Sequence, residues 1–252
     1  MKQRTVNIMP MAGEGKRFKD AGYKVPKPLI DINGEPMFIR SAKCMPEADL
    51  WIFLVKEDLL THGLIVKKIN ENFKNNKIIP IKEKTDGQAS TCFLAKKHIE
   101  KNDQIFISSC DNYFEINKEN FFVTSSKRDV LVLTTNANET HLKNTKLFGW
   151  VKKNNYGSFD IACKEQVSSN PEQDRVIVGS FFFRNLSFFE KSIQAVFDKK
   201  KKINNEYYLD MAIIESINLG FNVDEIIVKN YISWGSYEEL KKFKEKNNKI
   251  LK

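Results

Sequence analysis

The sequence has few of the residues from which several classes of protein are built. Its 252 residues include only four cysteines and three histidines, and these are scattered without the paired spacing of a zinc site or a disulfide framework. No stretch approaches the roughly 20 apolar residues needed to span a bilayer. We therefore expect no His-based metal centre and no membrane partner, and reduced thiols in a cytoplasmic enzyme.

Acidic residues are fewer than basic ones: the sequence has 32 Asp and Glu and 41 Lys and Arg, which gives a formal net charge of +9. Such a protein attracts anions. Much of the excess lies in runs such as residues 199–202 and 241–249, which are typical of a solvated helix face. No RNA-recognition motif, helix-turn-helix or basic-aromatic repeat accompanies the charge. We therefore expect no nucleic-acid partner, although the charge alone also fits a binding module for anionic polymers.

The first half of the sequence alternates short apolar runs with stretches of helical spacing. Runs rich in Ile, Val and Phe are typical of strands buried on both faces. The pattern predicts a parallel sheet flanked by helices. The predicted strands cover residues 6–9, 50–55, 77–81, 104–108 and 130–134, and the predicted helices cover residues 37–42, 60–73 and 87–99.

The second half has a different pattern, which begins with a hairpin whose turn-forming residues are 154–157. Further elements follow without a linker or a repeat. We therefore expect one domain over residues 1–252. The predicted elements are hairpin strands over 150–153 and 158–163, a strand over 176–183, helices over 186–197 and 208–219, and a last strand over 225–228.

A glycine-rich loop follows the first predicted strand. Gly13 and Gly15 lie two residues apart, and Arg17 lies two residues further on. Glycines in such a turn let backbone N–H groups approach a phosphate, and the cation adds charge there. Phe18 stands where a dinucleotide-binding fingerprint requires a third glycine, and no Walker A sequence follows. The pattern indicates a phosphate-binding loop, and an ordinary glycine turn is the alternative.

Lys27 lies between two prolines, Pro26 and Pro28. Proline fixes its own backbone and restricts the residue before it, so the segment aims one ammonium group at a defined point. A Gly-x-Pro turn follows at residues 34–36.

These linked motifs resemble the opening of the sugar-phosphate nucleotidyltransferases. The resemblance is strongest over residues 6–37 and covers most of the chain. It implies an α/β fold, a Rossmann-like three-layer mixed sheet of nucleotidyltransferase (GT-A-like) type. It further implies a nucleotide-binding half up to about residue 135 and an acceptor-binding half from about residue 136.

The resemblance also implies roles for residues of the first half. Lys27 corresponds to the lysine that stabilises the transition state at the α-phosphorus, and Arg17 assists it as a second catalytic cation. Residues 85–90 resemble the segment that recognises the nucleobase, although such a string also fits a plain helix N-terminus. The implied nucleotide-binding residues are Met11, Ala12, Gly13, Glu14, Gly15, Lys16, Arg17, Lys27, Gly87, Gln88 and Ser90.

A metal site and an acceptor site are implied in the same way. Asp111 follows a predicted strand, as does the Mg²⁺-binding aspartate of the family, and strand ends of this kind face the ligand crevice. A turn residue or helix cap is the alternative at that position. The implied acceptor-binding residues are Asn112, Gly149, Lys164 and Gly179.

The sequence departs from the family pattern at two places. Cys163 occupies a place that is usually acidic, and the segment around Trp234 and Gly235 lacks the aspartate that supplies a second metal ligand. Asp210, Glu206 or a substrate oxygen are candidates to replace that ligand. These departures weaken the expectation of an ordinary hexose 1-phosphate as acceptor.

The implied reaction is in-line attack by an acceptor phosphate oxygen on the α-phosphorus of an NTP, with Mg²⁺ as cofactor and pyrophosphate as leaving group. The chain is also similar to capsule-pathway cytidylyltransferases that use CTP and L-glutamine phosphate, so CTP is the favoured NTP. A sugar-1-phosphate nucleotidyltransferase and a GT-A-type glycosyltransferase that uses a nucleotide sugar are the alternatives. The sequence predicts no oligomeric state.

Overall fold

The computed structural model describes residues 3–61, 63–154 and 159–250, so His62 and the predicted turn at 155–157 lie outside the described residues. The strands are β1 Thr5–Met11, β2 Asp31–Ile32, β3 Glu35–Pro36, β4 Leu50–Lys56, β5 Asn76–Ile81, β6 Gln104–Ser108, β7 Asn112–Glu115, β8 Val130–Asn136, β9 Gly149–Lys153, β10 Phe159–Cys163, β11 Arg175–Phe183, β12 Val223–Ile227 and β13 Lys229–Ser233.

Helices connect most of these strands, and short 3₁₀ segments occur at Lys27–Leu29, Leu94–His98 and Thr145–Leu147. Within the described ranges, no helix is both long enough and apolar enough to cross a membrane. The α-helices are α1 Lys16–Asp20, α2 Met37–Ala42, α3 Glu57–Leu60, α4 Leu64–Asn72, α5 Gln88–Phe93, α6 Lys118–Ser125, α7 Glu139–Lys143, α8 Leu186–Asp198, α9 Leu209–Asn218 and α10 Tyr237–Ile250.

One nine-stranded mixed sheet takes strands from both halves of the chain. Its main path runs β10-β9-β11-β6-β1-β4-β5, and β8 pairs with both β11 and β12. The strands β6, β1, β4 and β5 are mutually parallel, whereas β11 runs antiparallel to β6. The parallel part and the buried strands agree with the sequence prediction, and the α/β fold class is confirmed.

Helices cover both faces of the sheet. Along β1, alternate residues point to opposite faces, so Val6 and Ile8 join one apolar cluster while Met9 and Met11 join the other. Residues of α5, α8 and α9 pack in the first cluster, and residues of α2, α4 and α6 pack in the second. The result is three layers, as expected.

Several element boundaries differ from the sequence prediction. The helix predicted over residues 60–73 is two helices, because Gly63 has φ +65° and this left-handed conformation interrupts a helix. The helix predicted over residues 87–99 ends as a 3₁₀ segment after α5. The last strand predicted over 225–228 is β12, and the chain continues directly into β13, which pairs with β7 as a two-stranded ribbon.

Candidate functional site

A cavity of about 500 Å³ opens beyond the carboxyl ends of the neighbouring parallel strands β1 and β6. Met11 and Ala12 reach it at the end of β1, and Ser109, Cys110 and Asp111 reach it after β6. Ligands of open α/β sheets bind at such strand ends. The strand order of the sheet therefore places residues from distant parts of the sequence at one cavity.

The glycine-rich loop forms one wall of this cavity. Its residues Gly13, Glu14, Gly15, Lys16 and Arg17 all line it. In the described part of the chain, the backbone N–H groups of these five residues donate to no protein acceptor. Unpaired backbone donors together with two cations favour a bound anion. The geometry of the loop thus suits phosphate groups.

Gly15 has a specific steric reason to be glycine. Its φ is +61°, and a Cβ at this position would lie 3.4 Å from Lys27 Cβ. The loop and the Lys27 segment are therefore in direct contact, and the left-handed residue lets the chain turn into α1.

Lys27 and Asp111 meet at the cavity beside the glycine-rich loop. Lys27 Nζ lies 2.5 Å from Asp111 Oδ2 and donates to the Gly235 carbonyl at 3.1 Å. It also lies 5.2 Å from the centre of the Phe18 ring. The side chains of Lys27 and Asp111 retain 16% and 24% exposure, so a ligand in the cavity can reach both.

The charge of Lys27 controls the protonation of Asp111. Burial by itself raises the pKa of Asp111, but attraction to Lys27 and the hydrogen bond from its ammonium outweigh burial and hold the pKa below its ordinary value. Ser109 and Arg17 act in the same direction. Asp111 is consequently ionised throughout the neutral range.

Backbone contacts fix the position of Asp111 from two sides. Trp234 N–H donates to the Asp111 carbonyl at 2.8 Å, which ties it to the end of β13. The next residue, Asn112, exchanges two hydrogen bonds with the Ser41 hydroxyl of α2, at 2.7 and 3.1 Å. The carboxylate is therefore presented by a rigid segment.

The other end of the cavity is built around Gly87, next to Thr85 and Gln88. The Thr91 hydroxyl donates to the Gly87 carbonyl at 3.0 Å and lies 2.6 Å from the Thr85 hydroxyl, which closes the segment into a tight turn. Glu206 packs against this turn and also lines the cavity. The sequence suggests Glu206 only as a substitute metal ligand, whereas the structure places it beside Gly87, in the segment predicted to recognise the nucleobase.

Ser90 is the one predicted nucleotide-binding residue that does not line the cavity. It lies two residues after Gln88 on α5, and two residues correspond to about 200° around a helix. Its side chain therefore leaves the helix on the side away from Gln88.

The predicted acceptor-binding residues lie off the cavity. Asn112 is buried and donates to Ser109 Oγ at 2.8 Å and to the Val178 carbonyl at 2.6 Å. Lys164 Nζ donates to the Leu147 carbonyl at 2.5 Å. The structure does not bring these side chains together with the phosphate loop.

The two predicted acceptor glycines have packing reasons to lack a side chain. A Cβ at Gly149 would lie 2.3 Å from Asp210 Oδ2, and a Cβ at Gly179 would lie 3.3 Å from Ser109 Oγ. Gly179 also has φ +76° at an irregularity in the pairing of β11 with β8. Asp210 itself is buried, and burial raises its pKa. Asp210 does not line the cavity and so does not stand beside Asp111.

Few side chains at the cavity could coordinate a metal ion. Among the described residues, no group of three or more His, Cys, Asp or Glu side chains could hold a metal ion. Mg²⁺, however, is commonly held by one or two carboxylates together with substrate phosphates and water. Asp111 at the cavity fits that sparse requirement, although it does not form a complete protein cage.

All four cysteines are free thiols, as expected. Cys110 lines the cavity, and burial raises its pKa to about 12. A thiol with such a pKa is protonated at neutral pH, so Cys110 does not serve as a nucleophile.

No protein-family model matches the chain, and no curated protein matches it. Solved structures do share its fold. The nucleoside-diphosphate-sugar pyrophosphorylase from Vibrio cholerae RC9 superimposes with a TM-score of 0.76 at 20% identity, over 94% of this chain and 98% of that one.

Two further structures are similar over nearly the whole chain. The inositol-1-phosphate CTP transferase from T. maritima has a TM-score of 0.70 at 14% identity, with 94% of this chain and 92% of that chain covered. HddC from Yersinia pseudotuberculosis, complexed with GMP-PN, has a TM-score of 0.65 at 17% identity, with 96% and 99% covered. These likenesses show a common fold.

Proposed function

We propose that the protein is a nucleotidyltransferase that joins a nucleotidyl group, CMP from CTP in the favoured case, to a small phosphorylated acceptor and releases pyrophosphate. The observation that carries this proposal is the convergence of five unpaired backbone N–H groups and the Lys27–Asp111 pair on one cavity. The names of the V. cholerae pyrophosphorylase and the T. maritima CTP transferase support the same reaction class.

The chemistry mainly requires that two anions be positioned and their charge neutralised. The glycine-rich loop binds the β- and γ-phosphates through its free N–H groups and Arg17. The ammonium of Lys27 has three donors, of which Asp111 and the Gly235 carbonyl take two. The third can donate to an oxygen of the α-phosphate, where negative charge develops during transfer.

Asp111 orients this ammonium and is the residue that would hold Mg²⁺. When bound, the metal would supply further positive charge to the triphosphate. The remaining ligands would be phosphate oxygens and water. The contribution of the protein to that site is therefore the ionised carboxylate, kept at the cavity by its backbone contacts.

The nucleophile is a phosphate oxygen of the acceptor. Such an oxygen is already ionised near neutral pH, so no general base is required. For the acceptor we propose L-glutamine phosphate, in the synthesis of a capsule phosphoramidate, from the resemblance of the sequence to capsule-pathway cytidylyltransferases. A sugar 1-phosphate is the second candidate, which the name of the V. cholerae protein favours.

The reaction class is tested by pyrophosphate release. The purified protein is incubated with Mg²⁺, each NTP, and either L-glutamine phosphate or a panel of sugar 1-phosphates. Lys27→Met should lower the rate at least about 100-fold because it removes the positive charge that stabilises the transition state. Asp111→Asn should lower it by a similar factor because it removes the carboxylate that orients Lys27 and would hold Mg²⁺. Lys24→Met is the matched control, since Lys24 is an exposed lysine of the same segment.

Full pyrophosphate release by both Lys27→Met and Asp111→Asn contradicts the assignment. Release of a sugar from a nucleotide sugar, without pyrophosphate formation from any NTP, would instead identify a glycosyltransferase.

A further inference from the structure

Three acidic side chains line the cavity, and they differ in their partners. Glu14 is paired with Lys56 at 3.2 Å, and Asp111 is paired with Lys27 at 2.5 Å. In the described ranges of the chain, Glu206 forms no ion pair with any Lys or Arg, since the nearby Lys202 pairs with Asp86. Among the described residues, Glu206 is thus the lining carboxylate that has no Lys or Arg within ion-pair distance.

Such a carboxylate is unexpected in a pocket for a polyanion, because like charges at short range repel. The location of Glu206 explains how it can stand in such a pocket. A Cβ added at Gly87 would lie 2.9 Å from Glu206 Cβ, so Glu206 stands at the Gly87 end of the cavity. A Cβ added at Gly15 would instead lie 3.4 Å from Lys27 Cβ, so the phosphate loop and Lys27 are neighbours in the lining. Glu206 therefore faces a part of the ligand other than the phosphates.

Local structure fixes the backbone of Glu206. Asn204 and Asn205 have φ of +49° and +62°, which forms a tight turn, and Ile203 and Glu206 exchange backbone hydrogen bonds of 2.9 and 3.0 Å across it. The following N–H, that of Tyr207, donates to the Asp86 carbonyl at 2.6 Å.

The side chain of Tyr208 lies close to that of Glu206. Burial, and next the negative charge of Glu206, raise the pKa of Tyr208 to about 12. The fixed backbone therefore keeps the Glu206 carboxylate at the cavity before a ligand arrives, which is a condition for discrimination.

Hydrogen-bond donors lie beside this acceptor. Within the described residues, the backbone N–H groups of Gly87 and Gln88 donate to no protein acceptor, and both residues line the cavity. The lining around Gly87 thus offers two backbone N–H donors without a protein acceptor and one carboxylate acceptor. Cytosine presents ring and oxo acceptors beside an exocyclic amine, whereas uracil has an oxo group in place of that amine.

We infer that Glu206 selects the nucleobase by accepting a hydrogen bond from an exocyclic amine, so that the site binds CTP in preference to UTP. The inference rests on the proposed function and deepens it. The 4-oxo group of uracil would bring a lone pair against the carboxylate and leave it without a donor. A hydrogen bond to a charged group contributes about 1.5–3 kcal/mol, which corresponds to a preference of about 10- to 150-fold.

The test measures nucleotide binding without turnover. Dissociation constants for CTP and UTP are determined calorimetrically for the wild type, Glu206→Gln and Asp86→Asn, without acceptor. The wild type should bind CTP at least about 10-fold more tightly than UTP. The amide of Glu206→Gln can turn to donate to the uracil oxygen, so its two constants should agree within about threefold.

Asp86→Asn is the matched control. It removes the same charge from the adjoining segment, but the Asp86 carboxylate is 62% exposed and pairs with Lys202, so the wild-type preference should remain. Glu206→Asp is a second variant that keeps the charge but withdraws the carboxylate by one methylene group, so it should reduce the preference without abolishing it. It keeps the test decisive if Glu206→Gln fails to fold.

Each other outcome is informative. If the wild type binds neither nucleotide, the proposed function fails together with the inference. If it binds CTP and UTP equally, or if Glu206→Gln retains the full preference, the inference alone is overturned. An unchanged preference in Glu206→Gln, combined with a raised KM for the acceptor in the separate pyrophosphate-release assay, would overturn the inference and assign Glu206 to acceptor binding instead.

Discussion

Replacing Gly87 by alanine tests how the cavity lining around Gly87 is built. Gly87 has φ +112° and ψ −175°, a region that is essentially restricted to glycine. An added Cβ would also lie 2.7 Å from both the N and the O of Tyr207. These backbone atoms cannot yield easily, because Tyr207 N–H bonds to the Asp86 carbonyl and its O accepts from Ala89 N–H.

The size of the effect follows from these contacts. Backbone strain in this region contributes about 1–3 kcal/mol. Loss of one of the two hydrogen bonds adds about 1 kcal/mol. We therefore expect Gly87→Ala to lower the free energy of unfolding by about 2–4 kcal/mol and to weaken nucleotide binding, since the segment that lines the cavity must move.

Gly220→Ala provides the matched control. Gly220 also has a positive φ, +76°, but an added Cβ meets no atom within 4 Å. Its expected cost is about 1 kcal/mol, from the left-handed backbone alone. The assay is urea denaturation followed by tryptophan fluorescence, with linear extrapolation to water. Equal destabilisation by the two substitutions would refute the claim that Tyr207 and Gly87 are in close contact.

Three further predictions concern buried groups and the turn before Glu206. Burial lowers the pKa of His141 to about 4, so the free energy of unfolding should be full above pH about 6.5 and fall by up to about 3 kcal/mol as the pH decreases to 4. Urea titrations should show that His141→Gln loses most of this pH slope, whereas His98→Gln, at a half-buried histidine, keeps most of it. Gly149→Ala should lower the free energy of unfolding by about 1–3 kcal/mol, because the added Cβ meets the Asp210 carboxylate. In a double-mutant cycle, Gly149→Ala combined with Asp210→Ala should cost less than the sum of the two single effects. Asn205→Val should loosen the turn, because a β-branched residue resists φ of +62°. Calorimetry should show weaker CTP binding by this variant, and hydrogen exchange should show that its nine-stranded sheet is as stable as in the wild type.

Much of the sheet could be predicted because its strands are nearly continuous apolar runs. The runs at residues 50–55 and 104–108 correspond to β4 and β6, which are buried on both faces by helices. The ribbon of β7 and β13 could not be predicted in the same way. Its strands are short and partly exposed, and their pairing joins Asn112 to Ser233 far along the chain.

In the candidate site, too, local motifs could be predicted from the sequence, whereas contacts between distant residues could not. The glycine loop and Lys27 are local motifs, in which neighbouring residues fix the geometry, and the structure brings them to one cavity. Glu206 depends on packing against Gly87, which is not encoded in adjacent residues. The turn-forming pair Asn204-Asn205 was the available signal. Gly149 shows the opposite case. The sequence assigns it to acceptor binding, but the close approach of Asp210 explains why this position is glycine without any ligand.

The C-terminal ribbon has a consequence for how the protein becomes competent during synthesis. Lys27 and its acceptor at Gly235 are 208 positions apart, and Trp234 supplies the amide that holds Asp111. A polypeptide released after residue 228 would contain every strand of the nine-stranded sheet but neither of these anchors. Lys27 and Asp111 can therefore be held in this arrangement only after residues 234 and 235 have been synthesised, and a product that ends at residue 228 would lack both anchors.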